Sequence, residues 1–174
     1  MNDTATATSA FQFVSHWKRE ANSQDDSAVS DFWIREGALP GEKEARERLK
    51  EVVMHARNAT GAIAGVSTAV AIQLPRLGQP MYYFRCFVGP KWRKSLLVGQ
   101  LLKRTRGLLE RYAQDNDFPC IGMVLELESD RFKDVGRKPV WTTLGQFVYI
   151  GKSQRGLDLR VTYFRGARLK NPKA

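Results

Sequence analysis

The stretch from residue 61 to residue 116 constrains the fold most, because two β-prone runs lead almost directly into a long amphipathic helix. The runs GAIAGVSTAVAIQL and MYYFRCFV are rich in β-branched and aromatic residues. The turn PRLGQP between them predicts an antiparallel hairpin. The second run passes through GPKWRK into SLLVGQLLKRTRGLLERYAQDN, where apolar residues recur at helical spacing after the candidate N-cap Ser95. A hairpin strand must therefore end beside the start of a helix that packs on the same sheet.

The segments before the hairpin predict one strand and two helices. AFQFVSHW is typical of a strand, and SAVSDFWIREGAL predicts a helix with Ser27 as its N-cap. PGEKEARERLKEVVMHARNATG predicts a second helix that ends at Arg57, because its first turn is acidic and its apolar residues share one face. The residues of that face are Ala45, Leu49, Val52, Val53 and Ala56.

The segments after the long helix predict three more strands. CIGMVLELES alternates like a partly buried strand, and QFVYIGKSQ and LRVTYFRGARL form a final pair around the turn SQRGLD. RFKDVGRKPVWTTLG, between them, predicts a short helix broken by Pro139. Strands and helices thus occur in the mixed order of an α/β (α+β) domain.

Size and charge favour one domain with an anionic partner. With 174 residues, 43% of them hydrophobic, the chain is long enough for one core and short for two. We expect a flexible N-terminus at 1–10, one domain at 11–168 and a basic tail at 169–174. Residues 1–80 carry nine Lys and Arg against ten Asp and Glu, whereas residues 81–174 carry nineteen against eight. The second half is therefore expected to meet the anion.

The two cysteines and the apolar runs argue against several classes of protein. Cys86 and Cys120 lie in apolar runs without metal-ligand spacing, so we expect buried free thiols and no metal site. No apolar run approaches the roughly 18 residues of a membrane span, and the N-terminus lacks the features of a signal peptide. These observations predict a cytoplasmic protein without a membrane partner.

The order of elements, over roughly residues 11–165, resembles the GNAT acyltransferase superfamily. The resemblance implies a mixed, mostly antiparallel central sheet flanked by helices. It also implies an acyl-CoA-dependent N-acyltransferase that uses acetyl-CoA or another acyl-CoA on an unknown amine. In that family the fourth strand leads through an R/Q-x-x-G-x-G/A turn into a helix whose N-terminal amides hold the coenzyme A pyrophosphate. Here FVGP resembles the strand exit, RKSLLV occupies the motif position, and VLELESDRF with WTTLGQFVYIG resembles the family's later strands.

The basic turn is the candidate cofactor loop. A helix N-terminus offers unpaired N–H groups and partial positive charge to an anion. Leu96 and Val98 stand where the family usually has small residues, and Gly99 comes one place late. A solvated turn and a polyanion patch are the alternative interpretations of Lys91–Lys94. The residues expected to bind the cofactor are Phe87, Val88, Trp92, Arg93, Lys94, Ser95, Leu97, Val98 and Gly99.

Acyl transfer from a thioester needs a general base for the amine and an acid for the leaving thiolate. Tyr149 and Tyr163 are the candidate acids. Glu126 and Glu128 alternate along one strand and share a face, which makes them candidate bases. Arg85 interrupts an apolar strand, so a central position would require either a buried partner or an anionic ligand.

A second, looser resemblance covers roughly residues 80–165 and concerns the phage Mom-type DNA-modification proteins. A strand containing Arg, a helix with a degraded motif and a Tyr-rich terminal hairpin are the shared features. The alternative function is therefore a catalytically degenerate GNAT-like or Mom-like protein that binds or modifies nucleic acid through its basic C-terminal half. An acidic acceptor would suit the same charge. The sequence leaves the oligomeric state open.

Overall fold

One eight-stranded sheet organises the molecule, a computed structural model that describes residues 11–20, 23–128 and 138–170. The strand order is β1-β2-β3-β4-β5-β8-β7-β6, and every neighbouring pair is antiparallel except β4–β5. This confirms the predicted mixed, mostly antiparallel sheet. The strands are β1 (Gln12–Ser15), β2 (Val52–Arg57), β3 (Ile63–Leu74), β4 (Gln79–Val88), β5 (Gly122–Leu127), β6 (Val140–Trp141), β7 (Phe147–Lys152) and β8 (Asp158–Tyr163). The α-helices are α1 (Ser23–Arg35), α2 (Glu42–Leu49) and α3 (Leu97–Asp115), and a 3-10 helix spans Pro90–Trp92.

The helices cover opposite faces of the sheet. Ile63 and Phe87 pack with α1 and α2, whereas their neighbours Ala64 and Val88 pack with Leu97 and Leu101 of α3. Successive strand residues point to opposite faces, so these contacts place α1 and α2 on one face and α3 on the other. No helix within the described ranges is long and apolar enough to cross a membrane.

The predicted helix over residues 42–57 is wrong in its second half. α2 ends at Leu49, and Val52–Arg57 is strand β2, which pairs with β1 on one side and β3 on the other. Five of the six β2 residues are buried, so the polar alternation that would have indicated a strand is missing. The apolar residues of α2 and β2 together mimic helical spacing. With β2 counted, the strand before the candidate cofactor loop is the fourth one, as the GNAT resemblance requires.

The helix starts also differ from the prediction. α1 begins at Ser23, so Ser27 lies inside the helix rather than at its N-cap. Leu96 occupies the N-cap position of α3, but the Ser95 hydroxyl accepts a bond from the Leu97 amide at 3.2 Å and donates to the Trp92 carbonyl at 2.7 Å. Ser95 therefore shapes the helix start from one residue upstream.

Several predicted segments lie partly outside the described residues. The short helix predicted at 131–145 is described from 138 onward, where the chain forms β6 and a turn instead. Residues 1–10 of the expected flexible N-terminus and 171–174 of the expected tail lie outside the description. At the start of that tail, Lys170 forms a two-way hydrogen bond with the Gln79 amide group at 2.7 and 2.8 Å.

The two histidines form one buried pair. His16 Nε2 lies 2.6 Å from His55 Nδ1, and Arg19 Nη2 lies 2.8 Å from His16 Nδ1. Because Arg19 can only donate, His16 Nδ1 accepts and its Nε2–H donates to His55. Burial lowers the pKa of both imidazoles, that of His55 to about 4, and the neighbouring cations lower them further. Because 39 residues separate the two histidines, no local sequence pattern indicates this pair.

This pair predicts a loss of stability in mild acid. Imidazoles with a folded pKa below the unfolded 6.5 contribute fully above about pH 6.5, and their contribution falls as the pH drops toward 4. The chain has only two His. The free energy of unfolding, measured by urea titration at several pH values, should therefore decrease by up to about 3 kcal/mol across this window. In the double variant His16→Gln/His55→Gln, the pH dependence of the free energy of unfolding should largely vanish. An unchanged pH dependence would contradict the assignment of this effect to the two histidines.

Gly122, the first residue of β5, predicts a strong steric effect. A Cβ there would lie 2.2 Å from the Thr162 carbonyl oxygen, which is backbone of the paired strand β8. Gly122→Ala should lower the free energy of unfolding by about 2–3 kcal/mol, because the strand must move. Gly107→Ala on α3 is the matched control, since its Cβ meets nothing closer than 3.7 Å. We expect that control to gain about 0.5–1 kcal/mol in urea unfolding. Equal effects of the two variants would refute the steric argument.

Candidate functional site

The two central strands separate at their carboxyl ends. β4 and β5 pair in parallel at Tyr82–Met123, Tyr83–Val124 and Phe84–Leu125. β4 then continues to Val88 and β5 to Leu127, and no further pair joins them within the described chain. We call this unpaired edge, between residues 86–88 of β4 and 126–127 of β5, the gap. Such strand ends are a common place for ligands in α/β sheets.

Backbone groups of β4 face this gap. Gly89 N donates to Ala64 O of β3, whereas Ile121 N donates to Pro80 O from the β5 side. Because backbone direction alternates along a strand, the even-numbered residues of β4 face β5. Cys86 and Val88 are the two that lie past the last pair. The Val88 carbonyl accepts a bond from Arg93 Nε at 3.2 Å, so the Cys86 amide and carbonyl are the groups that a ligand could contact.

The loop between β4 and α3 presents several unpaired amides. The amides of Trp92, Arg93 and Ser95 donate to loop carbonyls, and that of Leu97 donates to the Ser95 hydroxyl. Four other amides near this helix start have no hydrogen-bond acceptor among the described residues. These four belong to Lys94, Leu96, Val98 and Gly99. The start of α3 thus has the donors and partial positive charge of an anion site beside the gap.

The two large residues of the motif, Leu96 and Val98, lie in different surroundings. The Leu96 side chain is 82% exposed, and Val98 packs into the cluster beneath α3. Leu97 is fully buried in that cluster, so its side chain serves packing. Gly99 sits close to the turn after β6, because a Cβ there would lie 3.4 Å from Leu144 Cδ2. Neither Leu96 nor Val98 replaces the main-chain donors.

The loop cations surround this helix start. Lys91, Arg93 and Lys94 are exposed, and the Lys91 ammonium lies 5.2 Å from the Trp92 ring. The Arg93 guanidinium turns back toward β4 and lies 5.7 Å from the Phe87 ring. Phe87 itself faces α1 and contacts Phe32, so its side chain supports the loop from the far side of the sheet. Some of the predicted cofactor residues thus pack in the core, and the others form a cationic rim around the start of α3.

The two predicted carboxylates share one partner. Arg155 Nη1 lies 2.9 Å from Glu126 Oε2 and 2.8 Å from Glu128 Oε1. The Glu126 side chain is 12% exposed and that of Glu128 is 64% exposed. Burial, together with the nearby Glu126 carboxylate to which its hydroxyl donates, raises the pKa of Tyr83. Glu126, the residue after the last β4–β5 pair, therefore lies at the gap and is held from two sides.

Arg85 has a carboxylate partner. Its Nη2 lies 2.5 Å from Glu51 Oε2, and its guanidinium lies 5.0 Å from the Tyr83 ring. Arg48 Nε contacts the same Glu51 carboxylate at 3.3 Å. Arg85 therefore has a protein partner, which is one of the two alternatives that the sequence left open. It lies on the face of the sheet that α1 and α2 cover. Glu51 follows α2 directly and was hidden in the predicted helix.

The two tyrosine candidates lie at different ends of the sheet. Tyr149 pairs with Arg160, which pairs with Leu125 in the last row before the gap. The Arg160 guanidinium lies 5.8 Å from the Tyr149 ring and 4.3 Å from the Trp141 ring. Tyr163 pairs with Gly122, at the amino-terminal end of β5. The structure therefore brings Tyr149, and not Tyr163, to the level of the gap.

The two thiols are protonated, and a cavity lies elsewhere on the sheet. Burial raises the pKa of Cys86 to about 12 and that of Cys120 to about 11, which keeps both protonated and non-nucleophilic at neutral pH. No metal-binding group of His, Cys, Asp and Glu occurs in the part of the chain that the structure describes. A cavity of about 720 Å³ opens beside Trp17, Tyr82 and Tyr112, where β2 begins and β3 continues past it. It is separate from the gap.

Comparison of whole structures finds many solved acetyltransferases with the same architecture, whereas no protein-family model and no curated protein matches the sequence. A ribosomal-protein-S5-alanine acetyltransferase from Vibrio fischeri aligns over 92% of this chain and 97% of its own, with a TM-score of 0.60 and 9% identity. A GNAT acetyltransferase from Streptococcus pneumoniae aligns over 88% and 99%, with a TM-score of 0.57 and 17% identity. A phosphinothricin acetyltransferase from Sinorhizobium meliloti, solved with AcCoA, aligns over 93% and 94%, with a TM-score of 0.59 and 16% identity. These likenesses show the fold: the chain has the predicted GNAT fold.

Proposed function

We propose that this GNAT fold carries an acyl-CoA-dependent N-acyltransferase, with acetyl-CoA or another acyl-CoA as donor and an amine as acceptor. The observation that carries the proposal is the gap between β4 and β5 beside the unpaired amides at the start of α3. The two features suit an acyl-CoA, because its pyrophosphate needs hydrogen-bond donors and the amides of its thioester arm can pair with an unpaired strand edge. The AcCoA complex of the Sinorhizobium meliloti protein supports the same ligand for this architecture.

The cofactor-binding role falls on the backbone first. The amides of Lys94, Leu96, Val98 and Gly99 can bind the pyrophosphate, and Lys91 and Lys94 can neutralise its charge. Arg93 fixes the strand exit through Val88 and adds charge beside it. The Cys86 backbone can bind the amide groups of the arm in the gap. When bound, the acyl-CoA supplies an activated acyl carbonyl and a thiolate leaving group.

The base and acid roles fall on Glu126 and Tyr149. Glu126 lies at the gap and can accept a proton from the acceptor amine through water. Contacts with Arg155 and Tyr83 orient its carboxylate. Tyr149 lies at the same level two strands away and is the proposed proton donor to the thiolate. The two free cysteines, Cys120 buried and Cys86 partly buried, are consistent with a protein of the reducing cytoplasm.

The first prediction concerns ligand binding. Acetyl-CoA and free coenzyme A at millimolar concentration should raise the melting temperature, because a ligand that binds only the native state stabilises it. Arg93→Ala should reduce both shifts in melting temperature. It should raise the apparent Kd of each ligand by at least about tenfold, as is typical when a charge-assisted contact is lost. Arg93→Lys keeps the charge but loses the Nε contact with Val88, so it separates charge from loop geometry. No shift for the unaltered protein would reject the proposal.

The second prediction concerns the base, and the chain provides a matched control. Glu126→Gln should lower kcat/KM for acyl transfer by about 100-fold or more while leaving acetyl-CoA affinity unchanged. Glu128→Gln, which loses a contact with the same Arg155 atom, should change kcat/KM less than about threefold. Thiol release from acetyl-CoA is measured with a panel of polyamines, lysine peptides and amino-acid esters. Equal losses in the two variants would remove Glu126 from the base role.

The alternative is a GNAT fold that has lost acyl transfer and serves as a nucleic-acid-binding module. The observation that favours it is the row of unpaired cations along α3, described below. It predicts no thermal shift with acetyl-CoA. The likeness to Mom-type proteins and an acidic acceptor stay predictions.

A further inference from the structure

The outer face of α3 carries a row of exposed cations. Gln100, Lys103, Gly107 and Arg111 follow one another at spacings of three and four residues, which places them on one face, with Arg104 beside them. The buried residues of α3 occupy the opposite face. Lys103 and Arg111 are eight residues apart, which corresponds to about 12 Å along the axis. The row follows the loop cations along the chain and extends toward the C-terminal end of α3.

Among the described residues, these cations have no carboxylate partner of the kind that other arginines have. Arg57, Arg85, Arg106 and Arg155 each contact an Asp or Glu within 3.0 Å. Within the described ranges, no Asp or Glu forms an ion pair with any member of the basic ridge. We define the basic ridge as Lys91, Lys94, Lys103, Arg104 and Arg111. Its positive charge is therefore not paired with a carboxylate among the residues that the structure describes.

Aromatic rings lie between these cations. The Arg104 guanidinium is 4.3 Å from the Phe13 ring, and Trp92 packs edge-on against Phe11 at 5.3 Å. Phe13 on β1 and Phe11, which directly precedes β1, both pack against the cluster beneath α3. The contacts connect the cofactor loop to the middle of the helix. All three aromatic residues are partly exposed, so their rings border the charged surface.

We propose that the basic ridge binds single-stranded nucleic acid. Unpaired Lys and Arg in a row neutralise successive phosphates, and aromatic or guanidinium planes stack with unpaired bases. A duplex hides its bases, so the stacking part of the surface favours a single strand. An anionic membrane would meet the same charge, but among the described residues on this surface Leu96 is the one large aliphatic side chain that is fully exposed. The inference stands independently of acyl transfer.

The test compares two variants with the same loss of charge. Lys103→Ala/Arg104→Ala/Arg111→Ala removes three ridge cations outside the cofactor loop. Lys43→Ala/Arg46→Ala/Lys50→Ala removes three exposed cations from α2 and its C-cap, on the opposite face. Binding is measured by fluorescence anisotropy with an oligothymidylate of about 20 nucleotides, the matching duplex, and phosphatidylglycerol vesicles, between about 50 and 200 mM NaCl.

We expect the unaltered protein to bind the oligothymidylate with a steep salt dependence and more tightly than the duplex. The ridge variant should lose at least about tenfold in affinity, and its log–log salt slope should be shallower by about 2, since single strands give about 0.7 per neutralised phosphate. The α2 variant should bind like the unaltered protein. The acetyl-CoA thermal shift should persist in both variants, which separates this inference from the proposed function.

Several results would overturn the proposal. These are no oligothymidylate binding at the lowest salt, equal losses in the ridge and α2 variants, and tighter binding to duplex or vesicles than to the single strand. The third result would assign the ridge to a duplex or to a lipid surface. Both variants alter exposed side chains, and circular dichroism with urea unfolding checks that each one folds.

Discussion

The short parallel contact between β4 and β5 is the constraint on which the rest of the structure depends. Every other neighbouring pair in the sheet is antiparallel, and this pair has three rows. A parallel pair needs a crossover, so α3 must run back from the end of β4 to the start of β5. The crossover places its own N-terminus at the carboxyl ends of both strands. One topological requirement thus sets the helix start beside the strand ends where the pairing stops.

The position of α3 over this gap is fixed by close packing against β3. A Cβ at Gly65 would lie 3.0 Å from Leu101 Cδ1, 3.1 Å from Val88 and 3.3 Å from Leu97. The glycine therefore lets the first two turns of α3 approach β3 and the end of β4 closely. Leu97 and Leu101 are fully buried at this contact. Because the first helical residue is anchored in the core, the amides that precede and follow it are held in place beside the open strand edge.

The sequence predicts what local pattern encodes and misses what distant contacts decide. The hairpin and α3 follow from composition and periodicity, and their order indicated the fold. β2 was mistaken for helix because full burial removes the alternation of a strand. The pairs His16–His55, Arg85–Glu51 and Arg155–Glu126 join residues 39, 34 and 29 positions apart, so no local signal connects them. Which tyrosine lies near the gap depends on the register of β7 and β8, and that register is set by neighbouring strands.

The missing glycines of the motif matter less than the sequence suggests, for a reason of geometry. An anion at a helix start is bound by main-chain N–H groups, which every residue except proline possesses. Glycine helps by removing bulk between those groups and the ligand. A side chain that points to solvent or into the core leaves the same opening, and the structure places Leu96 in solvent and Val98 in the cluster beneath α3. The question raised by this motif is therefore decided by side-chain direction, which only the packing of α3 against β3 and β4 determines.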